Sequence, residues 1–357
     1  MEGYSLTIDE LRIPGDAVTT KSQVIASRKP SLFLLNDLLV QQDVTPSISA
    51  AVKTTLDRLK VDANSGQFFV FSSPHFQAEC HLIDSERFAV RISSSLIEAL
   101  DENELMFVIG HEIGHFLLGH LFDKREFDEE NLEERILSRR RELSVDRIGL
   151  VACRSLDVAL SAMMKTMSGL SPKHLKINVA GLVSQLRSLD QQSGALYSVM
   201  STHPSFVIRC RALLWFSMNG GFQQDSEKIE KNQLEKINKV IVADLERYID
   251  KPVLERISEI EQEFEFWFMA AAVAKSGSFS KGAQEIFVNR FGDELTVKLK
   301  TLLGSLNSSE AILECTNRFE AAQHSFERIA PRRYVLSERE VSDSVQKLLS
   351  DSFVARK

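Results

Sequence analysis

Nowhere in the 357 residues is there an apolar run of the roughly 18 residues that a membrane-crossing helix needs. The two best candidates end early: Leu105 to Gly110 runs into His111 and Glu112, and Phe266 to Ala274 stops at Lys275. No transmembrane span is expected. Basic residues are also in deficit, with 43 Lys and Arg against 50 Asp and Glu and a net charge of -7. That balance argues against a nucleic-acid partner, because phosphate contacts need clustered cations. Cysteine is scarce. Cys80, Cys153, Cys210 and Cys315 form no C-x-x-C pair and suggest no disulfide framework, which fits a reducing, cytoplasmic location. The opening MEGYSLTIDELRIPG carries Glu2, Asp9 and Glu10 without a continuous apolar core, so neither a signal peptide nor an arginine-rich transit peptide is expected. Internal repeats and low-complexity tracts are missing too.

What is present reads as an α+β chain, mostly helical. An apolar content of 43% with 26% charge is that of a globular protein. Ile48, Val52, Leu56 and Leu59 follow helical spacing. Phe68 to Phe71 and Phe88 to Ile92 are short β-rich runs and predict strands of a small sheet. Asp101, with Glu104 three residues later, has the pattern of a capping box. From there to about Phe122 the sequence is apolar on every side except for His and Glu, as in a buried central helix. A charged connector, Asp123 to Asn131, precedes a second helix from about Leu132 to Ser155. Pro204 stands where a first helical turn tolerates proline. Asn219-Gly220-Gly221 is the clearest break, and it places a boundary near residue 222. The expected domains are 1–222 and an almost wholly helical 223–357.

The segment His111-Glu112-Ile113-Gly114-His115 carries the chemistry. On a helix, residues four apart stand about 6 Å apart along the axis and only ~40° apart around it, so His111 and His115 can face one metal ion. Glu112 lies about 100° round from His111, close enough to act as base toward a water at the metal without being a ligand. A buried helix rarely carries two histidines and a glutamate side by side without a partner for them. Catalytic zinc takes three protein ligands and keeps a position open. His120 is poorly placed as the third: nine residues after His111, it lies about half a turn away on a continuous helix. It reads as a packing or capping residue. Glu142 and Asp146 are four apart and share a face, so one can bind metal while the other braces a histidine. The alternative for this stretch is a solvated charged face, which is the preferred reading for Arg139 to Arg141.

Three motifs in order, HEIGHFLLGH, RRRELSVD and STHPSFVIRCRAL, resemble family forty-eight of the metallopeptidases, which includes the HtpX heat-shock proteases and the CAAX prenyl proteases. The resemblance covers roughly residues 45–220. It implies a gluzincin-like zinc metalloprotease domain with a small β-sheet, one Zn2+ per chain, and Glu142 as third ligand with Asp146 behind a histidine. It also implies that His203 supports the oxyanion of the tetrahedral intermediate and that Arg209 holds its segment, pairing with an acid such as Asp146. The expected activity is that of an endopeptidase acting on proteins or peptides, with Glu112 as catalytic base. The substrate is expected along an exposed sheet edge, taken as Ser85 to Ser93 by family position.

Many members of that family are membrane-embedded or exported, whereas this chain shows neither a span nor a signal. Residues 156–200 read either as a gate, hinged at Ser168-Gly169 and Ser193-Gly194, or as a plain helical pack over the core. The region around FWFMAAAVAKSGSFSKGAQEIFVNRFGDEL resembles the helical TerB-like domains of tellurite resistance, with Ser276-Gly277 in place of their acidic Asp-Gly. It is expected to be a regulatory or protein-partner-binding module with Trp267 in its core. A second reading is therefore a catalytically silent or gated zinc-binding scaffold acting through the C-terminal domain.

Overall fold

A computed structural model describes residues 7–16, 29–122, 130–176, 178, 180–181, 184–185, 204–218 and 231–354. The chain divides into two units, one of Met1–Glu126 with Ile136–Asp250 and one of Phe127–Arg135 with Lys251–Lys357. The break read at Asn219 to Gly221 lies outside the described residues, and the division falls about thirty residues later.

In the first unit, α1 (Lys29–Asn36) and the two-residue β1 (Leu38–Leu39) lead into α2 (Pro46–Leu59). The strands β2 (Gly66–Phe71), β3 (Ala78–Leu82) and β4 (Phe88–Ser93) follow. The sheet order is β1-β2-β4-β3, with β2 and β4 parallel and the outer pairs antiparallel. This corrects the expected edge. Phe88, Ala89, Val90 and Ile92 are all buried, so β4 is covered on both faces and sits inside the sheet. The outer strands are β1 and β3, and β3 alternates Glu79 and His81 with a buried Cys80.

A short α3 (Ser94–Ala99) returns the chain to α4 (Glu102–Leu117). The expected capping box is present: the Asp101 carboxylate accepts from the amides of Asn103 and Glu104, and Glu104 accepts from the Asp101 amide. Glu104 is itself buried and receives Lys165 Nζ and Ser161 Oγ, each at 2.5 Å, from α6 (Leu156–Ser168). Of the segment read as a gate, α6 packs on α4 with Ala159, Leu160, Ala162 and Met163 buried and ends at its C-cap Gly169 with φ +69°, while the second hinge, Ser193-Gly194, lies outside the described residues.

α4 and α5 (Leu132–Cys153) approach closely because their contact is lined by small residues. A Cβ at Gly110 would lie 2.4 Å from the Ala152 Cβ, and one at Gly149 would lie 2.8 Å from the Phe107 carbonyl oxygen. Such distances admit only glycine, and this closeness sets the spacing between the two helices that carry the site. The core around them joins α2, the sheet, α4, α5, α6 and α7 (Phe206–Phe216) through Leu56, Phe88, Ile109, Ile148, Leu160 and Phe216.

The α8 helix (Lys231–Leu245) puts Ile237, Ile241 and Leu245 against Leu143, Ile208 and Ala212, which accounts for its place in the first unit. The charged-face reading of Arg139 is overturned. Arg139 is fully buried, with its Nε donating to Asp250 at 2.8 Å, because α5 is enclosed on more than one side and a guanidinium there needs a carboxylate.

The second unit is helical: α9 (Lys251–Ser276), α10 (Lys281–Phe291), α11 (Asp293–Ser305), α12 (Ser308–Ile329) and α13 (Pro331–Val354). α9 packs on α12 and α13 through Phe264, whose ring lies 5.5 Å from Phe326 and 5.4 Å from Tyr334. Trp267 is half-buried between Phe266 and the Arg318 guanidinium. No helix among the described residues is long and apolar enough to cross a membrane.

Candidate active site

α4 presents His111 and His115 one turn apart, and α5 brings Glu142 across the glycine-lined contact. His111 Nε2 and His115 Nε2 each lie 3.6 Å from a carboxylate oxygen of Glu142, one from Oε2 and the other from Oε1. One ligand atom from each residue falls within 4.8 Å of the others, so the three converge as a metal-holding group.

Both imidazoles are held from behind. His111 Nδ1 is 3.0 Å from Asp146 Oδ1, so its N–H faces a carboxylate and its Nε2 lone pair faces Glu142. Asp146 is gripped by Arg209 of α7, whose Nε and Nη2 donate to the two carboxylate oxygens at 2.8 and 2.6 Å. Arg209 Nη1 also lies 3.7 Å from Glu142. Burial works to raise the Asp146 pKa, but the charge and hydrogen bonds of Arg209 and His111 hold it well below the ordinary carboxylate range. His111 feels burial pulling its pKa down, and the hydrogen bond to Asp146 and the charges of Glu142 and Asp146 raise it overall. His115 is lowered well below the ordinary imidazole value, first by burial and then by the neighbouring His111.

Glu112 faces a cavity of about 540 Å3. Burial pushes its pKa up to about 7; His111 opposes the rise, while Glu142 and Glu79 reinforce it. A carboxyl titrating there can take a proton and return it near neutral pH. The cavity is lined by His111, Glu142 and Arg209, by Ala78 and Glu79 of β3, and by the apolar Phe107 and Val108 of α4 and Met163 and Met167 of α6.

His111, Glu112, His115, Glu142, Asp146 and Arg209 thus meet in one place. His203 lies outside the described residues, and helix α7 begins two residues past Pro204, with Ser205 as its N-cap. Sequence reasoning misjudged the surroundings of His120. α4 does not continue to Phe122 but ends at Leu117; Gly119 turns with φ +75° and a 3-10 turn, His120–Phe122, follows. The half-turn offset computed for a continuous helix therefore does not apply, and His120 Nδ1 comes to 3.1 Å from His115 Nδ1. Asp16, which no motif singled out, lies on its far side. The four cysteines are free and buried; burial raises the thiol pKa of Cys153 to about 11 and of Cys210 to about 12.

Residues 44–129 match the family model described as Peptidase family M48. Over 220 residues the chain is 24% identical to Plastoglobule-localized metallopeptidase 48, chloroplastic, of Arabidopsis thaliana, a match covering 53% of this chain and 63% of that protein. The chain thus spans less than two thirds of that relative's length. No solved structure matches the chain. The H-E-x-x-H helix lies inside the segment that matches Peptidase family M48, and the Glu142 carboxylate, outside that segment, faces it.

Proposed function

We propose that the chain is a zinc-dependent endopeptidase in which Glu112 is the general base. The observation that carries this reading is the convergence of two imidazole Nε2 atoms and one carboxylate, each imidazole braced through its other nitrogen. Two histidines and a glutamate are a donor set that catalytic zinc takes, with one position left open. His111, His115 and Glu142 would hold the ion. When bound, zinc supplies Lewis-acid polarisation of a carbonyl and brings the pKa of water down to about 7.

The remaining steps fall to the chain's own residues. A peptide lies along the free edge of β3 as an added strand, which aligns its backbone without demanding a particular sequence. The apolar lining of Phe107, Val108, Met163 and Met167 accepts one of its apolar side chains. Glu112 takes the proton from the attacking water and passes it to the leaving amine. Arg209 keeps Asp146 charged and His111 oriented, and His203 stabilises the developing oxyanion. The substrate is a protein or peptide. The helical C-terminal region acts as a regulatory or partner-binding module, and the reducing cytosol suits four unpaired thiols.

The test combines metal content by mass spectrometry with casein hydrolysis, with and without phenanthroline. Wild type and Glu112→Gln should each carry one zinc per chain, Glu142→Ala should carry none, and only wild type should hydrolyse in a chelator-sensitive way. Full hydrolysis by Glu112→Gln would remove Glu112 as the base. Zinc without hydrolysis in the wild type would favour the scaffold reading.

A further inference from the structure

The two histidines that converge on Glu142 are braced differently, and the brace behind His115 reaches outside the family's matched segment. Asp16 belongs to the N-terminal stretch of residues 7–16, which is docked on α4 and α5 by specific bonds. Arg12 Nη2 donates to the Leu118 carbonyl at 2.7 Å, the Ile13 amide donates to Ser144 Oγ at 3.0 Å, and Arg147 Nη1 donates to the Leu11 carbonyl at 3.3 Å. Leu11 and Ile13 are buried. Gly15 then turns with φ +83° directly over Arg140, where any Cβ would collide with that guanidinium, and delivers the Asp16 side chain into the interior.

There, Asp16 Oδ2 is 3.1 Å from His120 Nε2, His120 Nδ1 is 3.1 Å from His115 Nδ1, and His115 Nε2 is 3.6 Å from Glu142 Oε1. One arrangement of protons gives both contacts, Asp16 to His120 and His120 to His115, a donor and an acceptor. The Asp16 carboxylate only accepts, so His120 Nε2–H donates to it. That leaves His120 Nδ1 as an acceptor for His115 Nδ1–H, and His115 Nε2 keeps its lone pair for the ion. Arg12 Nη1, 3.7 Å from the same Asp16 oxygen, adds a cation behind the carboxylate.

We propose that Asp16 and His120 are positioning residues: they form an acid–imidazole relay that fixes the tautomer and orientation of His115 and so sets the metal affinity of the site. The relay rests on the metal-site reading, and it makes the N-terminal segment part of the site rather than a peripheral strap. A carboxylate–imidazole–imidazole chain polarises His115 through a neutral ring, and partners behind liganding histidines are typically worth 10- to 100-fold in metal affinity.

The experiment is a zinc titration of the full chain in competition with a chromophoric chelator. Asp16→Ala and His120→Leu should each weaken zinc by about 10- to 100-fold. His120→Gln should retain most of the affinity, since its amide oxygen can accept from His115 and its amide nitrogen can donate to Asp16. In the His120→Leu background, Asp16→Ala should cost nothing more. Nitrogen-15 NMR of the metal-free wild type should show His120 as the Nε2–H and His115 as the Nδ1–H tautomer. Unchanged affinity in Asp16→Ala, an equal loss in both backgrounds, or the opposite His120 tautomer would overturn the relay. A wild type that binds no zinc but shows these tautomers would strike down the metal reading while leaving the relay standing. If Asp16→Ala folds poorly, the contrast between His120→Gln and His120→Leu decides alone, because both keep Asp16 and its docking intact.

Discussion

The two sides of the α4 helix solve one problem with different chemistry. On the His111 side, the brace is a carboxylate in direct contact, and the carboxylate is itself clamped by a guanidinium from α7. On the His115 side, it is a neutral ring, and the nearest acid stands one residue further back. The pKa directions of the rings differ as well: burial lowers His111 but Asp146 and Glu142 together raise it overall, while His115 is held well below the ordinary value by burial and by the neighbouring His111. A site can use both arrangements because either one leaves Nε2 as the free lone pair.

The comparison is broken most severely at Asp146. Asp146→Ala removes the acceptor of His111 and leaves Arg209 buried without its bidentate partner. Breaking one member of a buried pair costs about 3–5 kcal/mol, because the survivor loses its hydrogen-bonded partner; here Glu142, 3.7 Å from Arg209, still answers part of the charge. We expect a loss of that order in urea unfolding, together with zinc affinity lowered by about 10- to 100-fold. Asp16→Ala should lower zinc affinity comparably but cost less stability, since Arg12 keeps its bond to the Leu118 carbonyl. Equal destabilisation by both variants would show that the two braces are alike in kind.

The His111 side was open to reading from sequence and the His115 side was not, for a physical reason. His111 and His115, and likewise Glu142 and Asp146, stand at helical spacings, and a regular helix turns spacing into direction; which acid faces the histidines and which stands behind came from the family resemblance. The capping box at Asp101, the helix at Ile48 to Leu59 and the two inner strands follow from the same local rules. His120 lies past a glycine with positive φ, where helical arithmetic stops, and Asp16 reaches it across 104 positions of sequence. No periodicity reports such a contact. The inner place of β4 was also legible in principle, because a run buried on both faces does not belong at an edge. Arg139 deceived for the opposite reason. Three consecutive arginines look solvated unless the matching acid is known, and Asp250 is distant in sequence.

The acids of the site repeat the contrast. Asp146, answered by Arg209, is held low, while Glu112, more weakly answered and facing Glu142 and Glu79, is raised from 4.5 to about 7. The sign for stability follows from which state binds the proton more tightly. Glu112 is raised in the folded chain, so its contribution is full below its unfolded pKa and is lost as pH rises through about 7. Chelator-treated wild type should therefore lose stability between about pH 4.5 and 7 relative to Glu112→Gln. Thermal melts of the two metal-free proteins should agree near pH 4 and separate above pH 7, with the variant melting higher. A gap that closes rather than opens with pH would mean that Glu112 is ionised at no cost in the fold.

The mildest perturbation is Glu79→Gln on the β3 edge. Glu79 is half exposed and pairs with Arg91, which also bonds Asp37 at 2.7 Å, so water and a cation both screen its charge from Glu112. Its contribution to the Glu112 shift ranks behind burial and Glu142. Removing the charge should lower the folded pKa of Glu112, so that the metal-free stability loss is complete at a lower pH than in wild type. The displacement should be smaller than either effect above and should shrink as salt is added, because an exposed charge is screened and a buried one is not. A displacement that ignores salt would mean that Glu79 acts through the shape of the β3 edge. In that case Glu79→Gln should alter peptide KM as well, since the same strand is where the substrate backbone is proposed to lie.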